Sequence, residues 1–182
     1  LKFHKHTKSF LLSYVIWLGV LFGLFYFNTN SFAVFLNELQ RGWLMDSLRY
    51  FLGDIVKDIY IYSCDTFRIR ITYACNGLIP YYLFLASIFA YPSTWTLRLI
   101  WAVLGYFAIY IVNVARLLFV TEMTRSGGAN FGWAHDIVGN LMLMAVGLTL
   151  FISFMRFSDA WLEKKRAKEE AKRKTSQRVG DF

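Results

Sequence analysis

The sequence predicts an all-α polytopic membrane protein: about four transmembrane helices, an interfacial amphipathic helix and a short extracytoplasmic β-hairpin. Three observations lead there. The 182 residues are 57% hydrophobic, with mean hydropathy +0.40, against about 45–50% apolar content in soluble domains. The apolar residues fall in blocks separated by polar sequence. The charge is one-sided, with nine of the twenty Lys and Arg residues lying beyond the last block. Charge placed this way orients a membrane protein. No basic patch interleaved with aromatics stands in soluble sequence, so the net charge of +8 does not point to nucleic acid.

The first apolar block, residues 10–27, follows Lys2, Lys5 and Lys8. At about 1.5 Å per residue it is just long enough for the ~30 Å hydrocarbon layer. No small-residue cleavage site follows it, so it reads as a retained span rather than a signal peptide. The other blocks are residues 77–93, 97–120 and 137–154. Four spans return the chain to its starting side, and the basic ends make that side cytoplasmic. The segments placed inside carry thirteen basic and five acidic residues, and those placed outside carry seven of each, so the whole excess of +8 is internal. The division is a membrane-embedded core, residues 1–155, and a basic cytoplasmic tail, residues 156–182, read as a solvated helix that touches anionic lipid.

Residues 28–74 are then extracytoplasmic. Phe32, Leu36, Leu39, Trp43, Leu48, Leu52 and Ile55 recur at roughly helical spacing. Asn37, Gln40, Arg41, Asp46, Arg49 and Asp54 fill much of the rest. This predicts one or two amphipathic helices in the outer interface, with Gly42 a break point. Over residues 58–73 the period becomes two: Ile59, Ile61, Phe67, Ile69, Ile71 and Tyr73 alternate with more polar residues around Ser63-Cys64-Asp65-Thr66. That is a hairpin pattern, and it delivers the chain to Cys75.

Three reactive side chains fall at outer ends of successive spans. Cys75 sits in Ala74-Cys75-Asn76-Gly77-Leu78, with Asn76 a favourable helix cap. The positive end of a helix dipole favours a thiolate. Two uses of this thiol stay open: a nucleophile, or a disulfide with Cys64, the second cysteine, since both lie on a side where disulfides form. Arg116 is embedded in Asn113-Val114-Ala115-Arg116-Leu117-Leu118-Phe119-Val120. Sixteen residues from Ile100 advance roughly 24 Å, which brings it near the outer surface. It reads either as a snorkelling anchor or as a working cation oriented by Asn113, three residues earlier on the same face. Four further apolar residues after it fit the anchor poorly. His135 opens the last span, and imidazole titrates near neutral pH. Asp136 is its candidate support, although adjacent helical residues do not face each other. His4 and His6 belong to the solvated basic segment. No dense ligand spacing joins Cys64, Cys75 and His135, so neither metal nor cofactor is expected.

Ala74-Cys75-Asn76-Gly77-Leu78, Asn113-Val114-Ala115-Arg116, and His135 followed by Gly139 at the head of a span together resemble the exosortase/archaeosortase family of membrane cysteine transpeptidases. The likeness covers about residues 58–154. Asn76 stands where that family commonly has Ser, Cys64 is outside the pattern, and the chain looks like a core-only member. The resemblance implies that Cys75, Arg116 and His135 are catalytic. It also implies secreted substrates with a C-terminal sorting tail: a short motif, a transmembrane helix and a basic cluster, of the PEP-CTERM type in bacteria. An inner-membrane location with the site outside follows. The other readings are a protease without transfer and a non-catalytic scaffold closed by a Cys64–Cys75 disulfide.

Overall fold

The computed structural model describes the backbone of residues 2–26 and 30–180, and side chains within residues 8–26 and 30–171. His4, His6 and the Asn28-Thr29 connection lie outside the described residues. Five helices and one small sheet follow in order: α1 (Lys2–Leu21), α2 (Ser31–Leu52), β1 (Val56–Lys57), β2 (Tyr60–Cys64), β3 (Phe67–Arg70), α3 (Leu78–Ala90), α4 (Trp95–Met123) and α5 (Asn140–Gly180). The fold is the mostly helical, polytopic membrane architecture that composition predicts.

Three helical stretches are long and apolar enough to cross a membrane: Lys8–Tyr26, Trp95–Met123 and Gly128–Ala171. The remaining expected span is shorter. α3 has 13 residues, about 20 Å of helix against ~30 Å of hydrocarbon. Its start waits for the Cys75–Gly77 loop. Its end is set by Pro92, which drives the preceding residue into an extended conformation, and Tyr91 has φ −76° and ψ 136°. The tail continues α5 without a break near residue 155.

α2 departs from expectation in two ways. It runs unbroken through Gly42, from an Asn30 cap whose Oδ1 accepts the Ala33 N–H at 2.8 Å. Its buried stripe is Ala33, Asn37, Gln40, Leu44, Met45 and Leu48, while Phe32, Leu39 and Trp43 point outward and are exposed. Of the apolar period only Leu48 joins that stripe, so over the first half of the helix the period marks the wrong face. Lipid is as apolar as a protein interior, so an outward face in a membrane protein needs no polar residues.

The hairpin forms as read, β2 against β3, and gains a third strand. β1 pairs antiparallel with β2 through Val56 and Ile61. Ile61, Ile69 and Ile71 are buried with Leu44, Leu48, Val114, Leu117 and Val120 of α2 and α4. Each such side chain contributes about 1.5–3 kcal/mol by burial where water is the alternative. Ser63 Oγ lies 2.8 Å from Thr124 Oγ1 and donates to Thr121 O at 3.0 Å. The sheet is therefore fastened to the end of α4, and Ile71 N–H donates to Ile59 O at 2.8 Å, carrying the ladder one step toward Cys75. A second cluster, including Leu21, Tyr82, Phe84, Ile88, Ile109 and Phe154, packs α1, α3, α4 and α5 together.

Candidate active site

Cys75 closes a 3₁₀ turn, Tyr73–Cys75, between the sheet and α3. Its N–H donates to Thr72 O at 3.0 Å and the Asn76 N–H to Tyr73 O at 3.3 Å. The thiol is 8% exposed and its Sγ lies 3.6 Å from Thr72 Oγ1. The cap position of α3 falls on Gly77 rather than on Asn76 as expected; from one position further out, Asn76 Oδ1 accepts the Leu78 N–H at 3.0 Å. Gly77 sits at φ 80°, where an L side chain is strained, and a Cβ there would meet Asn113 Nδ2 at 3.1 Å. The turn is tied outward as well. The Tyr73 hydroxyl donates to Glu38 of α2, and that bond pushes the phenol above its usual range. The Arg41 guanidinium lies 5.2 Å over the same ring.

Arg116 is 2% exposed, so it does not snorkel. Asn113, one turn earlier, is fully buried but does not orient Arg116. Its Nδ2 donates to Cys75 O at 2.9 Å. The residue that holds the guanidinium is Asn140, at the start of α5, whose Oδ1 accepts from Nη2 at 3.3 Å. A Cβ on Gly139 would stand 2.6 Å from Arg116 Nε, so the bare backbone there makes room for the guanidinium. Cys75 and Asp136 both lie within electrostatic reach of Arg116, as does Cys75 of the Tyr26 phenol. Two buried polar atoms, Arg116 Nε and Asn113 Oδ1, have no hydrogen-bond partner among the described residues.

His135 and Asp136 do pair, contrary to the helical expectation: Nδ1 and Oδ1 are 2.7 Å apart. The segment Trp133–Gly139 is a π-helix, a distortion of α geometry often found at functional sites. A carboxylate at Nδ1 selects the tautomer protonated there and leaves the Nε2 lone pair available. The imidazole stacks on Phe131 at 5.0 Å. Ala134 belongs to the same buried cluster as Cys75, which brings the His135 backbone to the Cys75 side of the molecule.

The disulfide reading is overturned. Both cysteines are free. Cys64 pairs with Phe67 at the turn of the hairpin, whereas Tyr60 pairs with Arg70 at its other end, from which the chain runs on to Cys75. Three strand steps put about 10 Å between those ends, beyond the ~7 Å that a disulfide tolerates between Cα atoms. Hydrogen bonds from the Thr66 hydroxyl and amide hold the half-buried Cys64 thiol below its usual range. In a Cys75→Ala chain, maleimide labelling of Cys64 followed against pH is expected to reach half its maximal rate below the pH that a free cysteine requires.

Sequence reasoning missed Asn37, Gln40 and Asn140 as site residues, and had Gly139 only as part of the pattern that follows His135. The usable signal was in α2, where Ala33, Asn37, Gln40, Leu44 and Leu48 keep a 4-3-4-4 spacing, an alternative helical face with polar residues at inward positions. Asn140 carried no signal, because its partner is 24 residues away. Beside the site, a groove of about 340 Å³ runs among α1, α2, α3 and α4, lined by Leu21, Phe25, Trp43, Leu85 and Tyr106 among others, with Gln40 on its wall.

The transmembrane exosortase (Exosortase_EpsH) family model matches residues 7–152. Searches of curated proteins and of solved structures found no match. The match spans α1 through most of the membrane part of α5 and takes in Cys75, Arg116 and His135. The chain belongs to the transmembrane exosortase family.

Proposed function

We propose that this chain is a membrane cysteine transpeptidase that removes the C-terminal sorting tail of secreted proteins and passes the shortened chain to an acceptor. The observation that carries the reading is the pair of unpartnered buried atoms beside the thiol, Arg116 Nε and Asn113 Oδ1. One is a donor and the other an acceptor, one helical turn apart. A peptide unit presents the complementary pair, a carbonyl oxygen and an N–H. The Cys75 and Asn76 amides are spent inside the 3₁₀ turn, so the backbone donors that serve many acyl-transfer sites are occupied. The guanidinium is left as the source of oxyanion stabilisation, where a preorganised charge in a poorly hydrated site has its largest effect.

In this reading His135 takes the thiol proton through Nε2, and Cys75 Sγ bonds to the carbonyl carbon. The tetrahedral intermediate collapses as the C–N bond breaks, and His135 returns the proton to the leaving amine. An incoming amine, or water in a simple protease, then gives its proton to His135 and displaces the thiolate. The substrate class is a secreted protein bearing a short motif, a transmembrane helix and a basic cluster. The groove beside Asn76 suits an apolar part of that tail. The basic ends favour cytoplasmic termini in the inner membrane of the cell, with the 156–182 tail inside and Cys75 outside.

The intermediate is the test. Mixed with a tailed substrate, the full chain is expected to form an adduct on Cys75 that neutral hydroxylamine removes, as it does thioesters. Tail loss with no hydroxylamine-sensitive adduct, even after rapid quenching, would exclude acyl transfer through Cys75.

A further inference from the structure

Two carboxamides of α2 take no part in the chemistry above. Asn37 is fully buried and Gln40 is 6% exposed. Three residues apart, they share one face of the helix, and that face looks onto the loop that carries the nucleophile. Asn37 Oδ1 accepts from Asn76 Nδ2 at 3.0 Å. Gln40 Nε2 donates to the backbone carbonyl of Asn76 at 3.2 Å. We propose that Asn37 and Gln40 are positioning residues for Cys75, acting through Asn76. The proposal rests on the reading of Cys75 as the nucleophile.

Each amide is held at both ends. Asn37 Nδ2 donates to Ala33 O at 2.9 Å within α2, and to Tyr26 O at 3.3 Å and Phe25 O at 3.4 Å where α1 ends. Gln40 Oε1 accepts from the Tyr106 hydroxyl of α4 at 2.7 Å. Asn113, also of α4, holds Cys75 O. The carbonyls of Cys75 and Asn76 are therefore each bound by a carboxamide from a separate helix, and the Asn76 side chain is bound by a third. Further along the same α2 face the buried positions are Leu44, Met45 and Leu48, so its buried polar groups are the two that meet the Cys75 loop.

The consequence lies in orientation. With its carbonyl and the next residue fixed, Cys75 has one backbone placement, and its Sγ has a defined relation to Arg116. A displacement of about 1 Å in such a site costs on the order of 10²-fold in rate. Asn37 and Gln40 touch no reacting atom. Their loss acts by loosening Asn76.

The experiment uses the purified full chain carrying Cys64→Ser, so that Cys75 is the single thiol. Iodoacetamide alkylation of Cys75 is followed across pH, and tail removal is measured separately for kcat and KM. Asn37→Leu and Gln40→Met are expected to displace the alkylation profile and to lower kcat about tenfold, with KM little changed, the effect of one or two lost hydrogen bonds. Asn37→Leu is expected to add almost nothing to Asn76→Ala, because both delete the same contact. Tyr106→Phe, which removes a single hydroxyl and keeps the ring, is expected to move the profile the same way by about two- to threefold. Profiles that superimpose on the parent's, or effects of Asn37→Leu and Asn76→Ala that multiply, would overturn the proposal. If the larger replacements do not accumulate, an unmoved profile in Tyr106→Phe overturns the part assigned to Gln40. Alkylation needs no substrate. A parent chain that processes nothing, while the variants still shift the profile, removes the transpeptidase reading and leaves the positioning standing.

Discussion

Replacing Cys75 by alanine is expected to leave the sorting tail attached to a co-expressed substrate that the wild-type chain processes. The loss should be on the order of 10⁴-fold or more, since the group that forms the covalent intermediate is gone and only binding and charge remain. The readout is the size of the secreted substrate. Stability should change little. The Cys75 side chain is small, Asn113 bonds its carbonyl rather than its sulfur, and among the described residues the polar neighbour of Sγ in hydrogen-bond range is the Thr72 hydroxyl. Equal amounts of the two chains in the membrane would therefore accompany unequal processing. Processing that survives Cys75→Ala would end the nucleophile assignment. Wild-type chain isolated without reductant should also present two free thiols, as the structure has them.

The second large effect is expected at Arg116, and it can be reached without touching that residue. Gly139→Ala places a methyl group 2.6 Å from Arg116 Nε and 3.1 Å from the Ala134 carbonyl. The carbonyl is backbone and cannot yield cheaply, so the guanidinium must move. With Arg116 as the proposed oxyanion donor, its displacement is expected to lower kcat by about 10²–10³-fold, the range for removing such a donor, with a smaller change in KM. Arg116→Lys should fall in the same range. Lysine keeps the charge and has three donors, but all of them sit on one nitrogen, so without the planar fork it cannot reach Asn140 and also place a donor at the position of Nε. Activity in Gly139→Ala close to wild type would show that the present position of Nε is immaterial to the reaction. Full activity in Arg116→Lys would show that charge alone suffices.

Much of this was legible in the chain. Long apolar blocks announce membrane spans because a helix must satisfy its own backbone in lipid, and that logic needs no tertiary information. The alternation around Ile59, Ile61, Ile69 and Ile71 announced the hairpin for an equally local reason, the two-residue repeat of a strand. The order of Cys75, Arg116 and His135 near the ends of successive apolar blocks was visible for the same reason. Counting residues along spans places side chains in depth. It does not place them around a helix axis.

The parts that depend on direction around an axis were not legible. The apolar stripe of α2 pointed to Phe32, Leu39 and Trp43, which the fold turns outward, while Asn37 and Gln40 face the Cys75 loop. In water the apolar face of a helix must be the inner one. In a membrane protein both faces can be apolar, and the inner one is recognised instead by its polar groups, which must find partners. Asn113 was assigned to Arg116 by spacing on one helix, yet it holds Cys75, and Asn140 holds Arg116. His135 and Asp136 pair because a π-helix replaces the α-helix assumed for them.

By itself the sequence determined that this is a mostly helical polytopic membrane protein, where three of its long apolar helices and its hairpin lie, and which thiol, guanidinium and imidazole to look for. Those properties follow from hydrophobicity and from local repeats of backbone geometry. Only the tertiary structure decided that the two cysteines stand apart, which carboxamide meets which backbone carbonyl, and that Gly139 makes room for the guanidinium. Hydrogen bonds between residues 24 to 39 positions apart depend on how helices pack and turn against one another, and no local pattern encodes that.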